Sequence, residues 1–291
     1  MPPPLVHAGP RPDQPAWEVC TLGPQAAPPK YQTSSRVRPE SHMIDAESLA
    51  RYCSGLLSAD ACKDYCPNGL QVAGKRPVRR LVTGVTASRA LVDAAIAADA
   101  DALMVHHGWF WNGEDPRLVG VKGRRVATLM GAGMALLAYH LPLDLHPDLG
   151  NNRQLADVLG LVDVAPAAAD GLVWLGRLPA PVPAAALARD VAERLGRVPL
   201  HVAVVDGPVQ RIAWCTGAAQ RYIGDAQGLG ADLFISGEVS EQTVHEAREL
   251  GIDYLAAGHH ATERYGVQAL GAHLAQRFAL EHCFIDIDNP A

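Results

Sequence analysis

Three short segments carry residue types that bind divalent metals: Val105-His106-His107-Gly108, His140-Leu141-Pro142-Leu143-Asp144 and Gly258-His259-His260-Ala261-Thr262-Glu263. Imidazole nitrogens and carboxylate oxygens suit borderline cations such as Zn, Mn, Fe or Ni. Each segment follows an apolar run, and Asp101 to Val105 reads as a buried strand that ends in a polar site. Open α/β sheets assemble active sites at the carboxyl ends of their strands. Singly, each segment has a plainer explanation. The chain holds 12 His, and most His pairs are surface or packing residues. His140 and Asp144 fit a helical pair or a turn hydrogen bond. His259 and Glu263 are spaced to share one helical face. Three such segments at three strand ends point together to a metal site.

The elements that must position them follow from size and pattern. The chain's 291 residues are 48% apolar and carry a formal charge of −6. That is enough apolar material for one large domain or two ordinary ones. No apolar run is long enough to span a bilayer. No basic stripe supports phosphate-driven nucleic-acid binding, so nucleic acid is not an expected partner. The six cysteines form no CxxC motif, and Cys62 and Cys66 have no second cluster to complete a zinc site. Reduced thiols and the lack of a signal-peptide h-region lead to the expectation of a cytoplasmic protein.

Residues 1–42 hold ten of the 22 prolines and show no periodic pattern, so a disordered extension is expected there. Met43 then opens an amphipathic helix with Leu49, Tyr52 and Leu56 on one face.

An internal repeat organises the rest. Pro77-Val78-Arg79-Arg80-Leu81-Val82 resembles Pro208-Val209-Gln210-Arg211-Ile212-Ala213, an offset of 131 residues. The same offset lays Ala100 to His107 over Ala231 to Glu238 without a gap. His107 and Glu238 then stand at equivalent strand ends. The next strands, Met134 to Tyr139 and Tyr254 to Ala257, run into His140-x-x-x-Asp144 and His259-x-x-x-Glu263. The expected fold is α/β: two related α/β halves, an internal duplication spanning 43–160 and 161–291, with a metal site in the cleft between them. Residues 150–207 show a short helix around Leu155 to Leu159, a helix begun by Pro183 and an alternating run from Pro199 to Val205, with no catalytic constellation.

Together with Pro67-Asn68-Gly69-Leu70-Gln71-Val72, Val82-Thr83-Gly84-Val85-Thr86 and Ser236-Gly237-Glu238-Val239-Ser240, the three metal-binding segments give a chain that resembles the Nif-three-like family, also called type 2 GTP cyclohydrolase I homologues. The resemblance runs from about Met43 to the C-terminus. It implies two divalent metal ions per chain held by His106, His107, Asp144, His259 and Glu263, with Glu263 between the ions. It also implies a homohexameric toroid. His140 and His260 fall outside that ligand set and are expected around it, orienting ligands or moving protons. Glu238 and His140 are the candidate proton shuttles, with a structural hydrogen bond at a helix start the alternative for Glu238.

Trp109, Phe110 and Trp111 follow the paired histidines directly. They offer either a stacking surface for a planar base or packing for the core or a subunit interface. The expected function is metal-dependent hydrolysis of a nucleotide-like small molecule, with GTP ring opening or phosphoester cleavage as candidates. The alternative is a non-catalytic hexameric metal-binding scaffold or regulator.

Overall fold

A computed structural model of the chain describes residues 43–291; the extension expected over residues 1–42 lies outside the described residues. The first unit runs α1 (Ala46–Leu56), β1 (Gly69–Val72), β2 (Arg80–Thr86), α2 (Arg89–Ala97), β3 (Ala102–His107), α3 (Gly120–Ala132) and β4 (Ala135–Ala138). Helices α4 (Leu141–Leu145) and α5 (Asn151–Leu159) lead to β5 (Val162–Pro166), β6 (Trp174–Pro183), α6 (Ala184–Leu195) and β7 (Leu200–Val202). Then come β8 (Pro208–Cys215), α7 (Ile223–Gly228), β9 (Leu233–Ser236), α8 (Glu241–Leu250), β10 (Asp253–Ala256) and α9 (His259–Thr262). Finally α10 (Arg264–Phe278) and β11 (Glu281–Phe284) end the fold.

The strands form two sheets, β1-β4-β3-β2-β11 and β5-β6-β8-β9-β10-β7. In the first, β4, β3, β2 and β11 are parallel and β1 runs antiparallel along the edge. In the second, β8, β9 and β10 are parallel, with β7 antiparallel beside β10 as β1 is beside β4. The duplication extends to register. Leu81 stands opposite Ala102, and Ile212 opposite Leu233, the same 131-residue offset on both strands. Asp101 Oδ2 accepts the backbone N–H groups of Arg79 and Arg80, and Asp232 Oδ2 accepts those of Gln210 and Arg211.

Parallel strands covered on both faces are apolar throughout, which explains the continuous runs of β3 and β9. Leu81, Met104 and Leu137 face α1 and α10, while Val82, Leu103 and Val105 face α2 and α3. In the second sheet Ile212, Ile235 and Leu255 face α5 and α6, and Ala213, Phe234 and Tyr254 face α7 and α8. Each such Leu or Ile contributes roughly 1.5–3 kcal/mol by leaving water. Helix α10 packs on both α5 and β2, which ties the two units together beneath the strand ends.

Three expectations shift. The first helix starts at Ala46 rather than Met43, because the Asp45 side chain accepts the Ser48 N–H at 2.7 Å and caps it. The strand expected over Pro199 to Val205 shortens to Leu200–Val202, since the Asp253 carboxylate takes the N–H groups of Val204 and Val205 and ends the ladder. The chain's last strand, β11, pairs with β2 in the first sheet, although it lies within the 161–291 stretch.

Candidate metal centre

The strand ends deliver the three segments to one place. Strand β3 ends in His106 and His107; the turn after β4 gives His140 and α4, which carries Asp144; the turn after β10 gives α9, with His259 at its start and Glu263 at its C-cap. His106, Asp144 and Glu263 are buried, and His107, His140 and His259 are partly buried.

Glu263 stands at the centre. Its Oε1 lies 3.6 Å from His106 Nε2, which is itself 3.5 Å from Asp144 Oδ1. Its Oε2 lies 3.2 Å from His107 Nε2 and 3.1 Å from His259 Nε2. The five residues thus divide into two groups able to hold a cation, His106–Asp144–Glu263 and His107–His259–Glu263, and the groups share only the carboxylate of Glu263. Glu263 Oε2 is buried and has no hydrogen-bond partner. An ionised oxygen left so is costly, and a cation among the three donors would satisfy it. The residues fit divalent metal.

Partners behind the candidate ligands fix which nitrogen faces inward. His106 Nδ1 donates to the Tyr139 carbonyl at 2.9 Å, leaving the Nε2 lone pair for the site. His259 Nδ1 meets Glu238 Oε1 at 2.7 Å, and His107 Nδ1 meets Thr86 Oγ1 at 3.0 Å. Asp144 Oδ1 accepts from Asn151 Nδ2 at 2.8 Å and from the Thr216 hydroxyl at 3.3 Å. Asn151 in turn accepts the Gly266 N–H, so α5 and α10 hold it rigidly. Asn152 anchors the same corner, accepting the Thr216 N–H and donating to the Asp144 carbonyl. Gly217 has φ +67°, and a Cβ there would meet Glu263 Oε1 at 2.1 Å.

Protons occupy this charge pattern when no cation does. Burial lowers the basicity of His106, but Asp144 and Glu263 outweigh it and raise its pKa to about 9. His259 rises to about 9 in the same way, burial being outweighed by Glu263 and Glu238. Burial dominates at His107, which falls to about 3 and stays neutral. Burial raises Asp144, whereas at Glu263 the surrounding imidazoles outweigh burial and hold the carboxyl well below its usual range.

His140 sits beside the ligands, its ring centroid 5.0 Å from His106 and 5.6 Å from His107. Its Nδ1 donates to Asp64 Oδ1 at 2.7 Å. Burial would raise the Asp64 carboxyl, but hydrogen bonds from His140 and Asn68 outweigh it and hold it at about 2. Glu238, the other candidate shuttle, lies behind His259 and outside the cavity wall. Its contact orients the His259 ring. His260 turns away altogether: its Nε2 pairs with Asp286 at 2.7 Å, on the far side of α9. The His259-His260 doublet could not reveal which member faces inward.

The candidate donor groups open into a cavity of about 680 Å³. Trp111 lines it, edge-on to His140 at 5.0 Å. Trp109 does not stack there: it is buried, with its indole N–H on the Ala87 carbonyl. Phe110 between them has φ +67°, a left-handed kink in the loop after β3. Sequence reasoning missed Asp64, Thr86, Asn151, Asn152, Thr216 and Gly217. Two of these, Asn151 and Asn152, come from the stretch read as empty of site residues. An adjacent Asn pair opening a helix was the one available signal.

The family Duf34/NIF3 (NGG1p interacting factor 3) matches residues 44–290. The GTP cyclohydrolase 1 type 2 homolog of Allochromatium vinosum is 59% identical over 250 residues, covering 86% of this chain and 98% of that protein. The protein of the same description from Escherichia coli K12 is 52% identical over 237 residues, covering 81% and 95%. The solved structure described as protein ybgI, of unknown function, superposes with a TM-score of 0.82 at 49% identity, covering 85% of this chain and 100% of that one. With a family match across the whole described fold and such relatives, the chain belongs to the Duf34/NIF3 family.

Proposed function

We propose that this protein binds two divalent metal ions per chain and hydrolyses a nucleotide-like small molecule. The observation that carries the reading is the division of the Glu263 carboxylate: Oε1 belongs to one donor group and Oε2 to the other, beside a cavity of about 680 Å³. His106 and Asp144 would hold one ion, His107 and His259 the other, and Glu263 both. Such a pair supplies Lewis acidity and brings the pKa of water towards neutrality.

The chain's own groups supply the rest. Asp64 fixes the His140 tautomer with Nδ1 protonated, so Nε2 can accept a proton and later return it to a leaving group. Asn151 and Thr216 hold Asp144 through one oxygen, which keeps that carboxylate from rotating. Trp111 gives a planar face at the cavity wall. The printed description of the bacterial relatives makes GTP ring opening the first named reaction to try. Self-association into the toroid belongs to the same proposal, supported by the exposed apolar side chains of Leu118, Val119, Val121 and Met130 at and before α3. None of the described helices is long and apolar enough to cross a membrane.

The deciding experiment loads the protein with Zn, Mn, Fe or Ni and screens nucleotides and phosphoesters for turnover, with Asp144→Ala as control. Turnover that Asp144→Ala abolishes is the expected result. A fully loaded protein inert to every substrate would leave the scaffold role in its place.

A further inference from the structure

Three cations reach the wall of the metal cavity: Lys122 and Arg125 from α3, and Arg221 from the turn before α7. Their number is notable in a chain of net charge −6. Lys122 and Arg125 are three residues apart and so share a helical face. Two of the three are already engaged. Lys122 Nζ lies 3.2 Å from Glu114 and donates to the Asp115 carbonyl at 2.6 Å. Arg221 donates to the Tyr222 hydroxyl at 3.1 Å. The Arg125 side chain has no ion pair or hydrogen bond among the described residues, and its Nε is buried without a partner.

A guanidinium nitrogen that has lost water and gained nothing is unfavourable unless something else completes it. The duplication sharpens the point. Gly133 after α3 and Gly251 after α8 are equivalent helix ends, each in the left-handed conformation. Counting back from them, Arg125 corresponds to Thr243, which is buried and spends its hydroxyl on capping α8. The first unit has therefore placed an unsatisfied cation where the second has a satisfied cap.

We propose that Arg125 is the anion clamp of this cavity, receiving the phosphate of a nucleotide-like substrate whose ring rests against Trp111. The inference builds on the hydrolase reading above and names the group of the substrate that the chain itself grips. A guanidinium presents paired N–H donors that match two phosphate oxygens. A cavity of about 680 Å³ falls within the roughly 300–1,000 Å³ typical of small-molecule sites. Tyr65 and Tyr222 add aromatic wall near Arg221.

The test is calorimetric titration of GMP and guanosine into metal-loaded and chelator-treated protein, comparing the unaltered chain with Arg125→Gln and Arg125→Lys. Metal content and particle mass are measured on each. GMP should bind at least tenfold more tightly than guanosine in both states of the unaltered chain. Arg125→Gln should weaken GMP by roughly tenfold to a hundredfold, leave guanosine and metal content unchanged, and be partly rescued by Arg125→Lys. Equal GMP binding by Arg125→Gln would overturn the clamp, as would an equal loss for guanosine. A change in particle mass with GMP binding intact would assign Arg125 to a subunit contact and overturn it too. If Arg125→Gln does not fold, competition between GMP and inorganic phosphate on Arg125→Lys decides by the same criterion. Absence of turnover with GMP binding still dependent on Arg125 would remove the hydrolase reading and leave the clamp standing.

Discussion

Where the first unit has Thr86, the second has Gly217, at the same 131-residue offset that relates the rest of the repeat. Thr86 stands opposite His107 in the sheet and holds its Nδ1. Gly217 leaves empty the volume that the Glu263 carboxylate fills. One unit uses the position to hold a histidine, the other to admit a carboxylate. The same division holds across the site. The first unit contributes His106, His107 and Asp144 from two strand ends, and the second contributes His259 and Glu263 from one. None of the five candidate donors follows the second unit's β9; Glu238, equivalent to His107, supports His259 instead. Duplication provided two similar strand-end clefts, and divergence made one rich in donors and the other the source of the shared carboxylate.

The largest expected effect comes from removing what the halves share. Glu263→Ala takes a donor from both groups, so bound metal should fall from about two ions per chain towards none. Asp144→Ala touches one group, and about one ion should remain. Elemental analysis of dialysed protein separates the two cases; equal loss in both variants would mean that the groups are not independent.

Gly217→Ala should come next, because both the positive φ and the 2.1 Å approach to Glu263 Oε1 oppose a methyl group. A loss of about 1–3 kcal/mol of stability is expected, together with weaker metal binding. Thr86→Gly, the reverse exchange in the other unit, should leave Glu263 undisturbed. Thermal melts of the two variants with metal removed test this asymmetry, and equal losses would contradict it.

How much of this could be read from the chain depended on whether a residue's role was local. His106, His107, Asp144, His259 and Glu263 could be picked out as candidates because they sit in short motifs after apolar runs, and the repeat marked those runs as strands. Gly217 could not be recognised, since its reason is a carboxylate 46 residues away in sequence that only the fold brings close. Asp64 and Asn151 are likewise ordinary polar residues until His140 and Asp144 arrive beside them. The return of β11 to the first sheet was hidden for a different reason. A short strand of partly exposed residues carries no mark of which sheet it will join. His140 and His259 also do not occupy matched positions. Ala138 and Ala256 pair equivalently with Val105 and Ser236, and from there His140 is two residues on and His259 three. Similar spacing within each motif concealed that slip.

A pH effect should follow from the protons that stand in for cations. His106 and His259 have folded pKa values near 9, above the ordinary histidine value of 6.5. In metal-free protein their contribution to stability is complete below about pH 6.5 and is lost as pH rises through about 9. Metal binding must displace those protons and so strengthens over the same interval. The gap in melting temperature between loaded and chelated protein should widen from pH 6.5 to 9. A constant gap would show that these two imidazoles do not exchange protons for metal.

The smallest effect should separate the two supporting groups, one from each unit. Glu238 offers His259 an ionised acceptor at 2.7 Å, and Thr86 offers His107 a neutral hydroxyl at 3.0 Å. Charge-assisted hydrogen bonds are about twice as strong as neutral ones. Glu238→Gln should therefore weaken metal binding by roughly tenfold, the lower end of what such supporting contacts contribute. Thr86→Val, which keeps the shape and removes the hydroxyl, should cost less. Both residues act on the same donor group, His107–His259–Glu263, so competition with a chelator should show the weaker-held ion released first in either variant. If Thr86→Val proves the more damaging, the ion in that group is governed by the first unit's histidine, and the second unit's contribution reduces to the carboxylate alone.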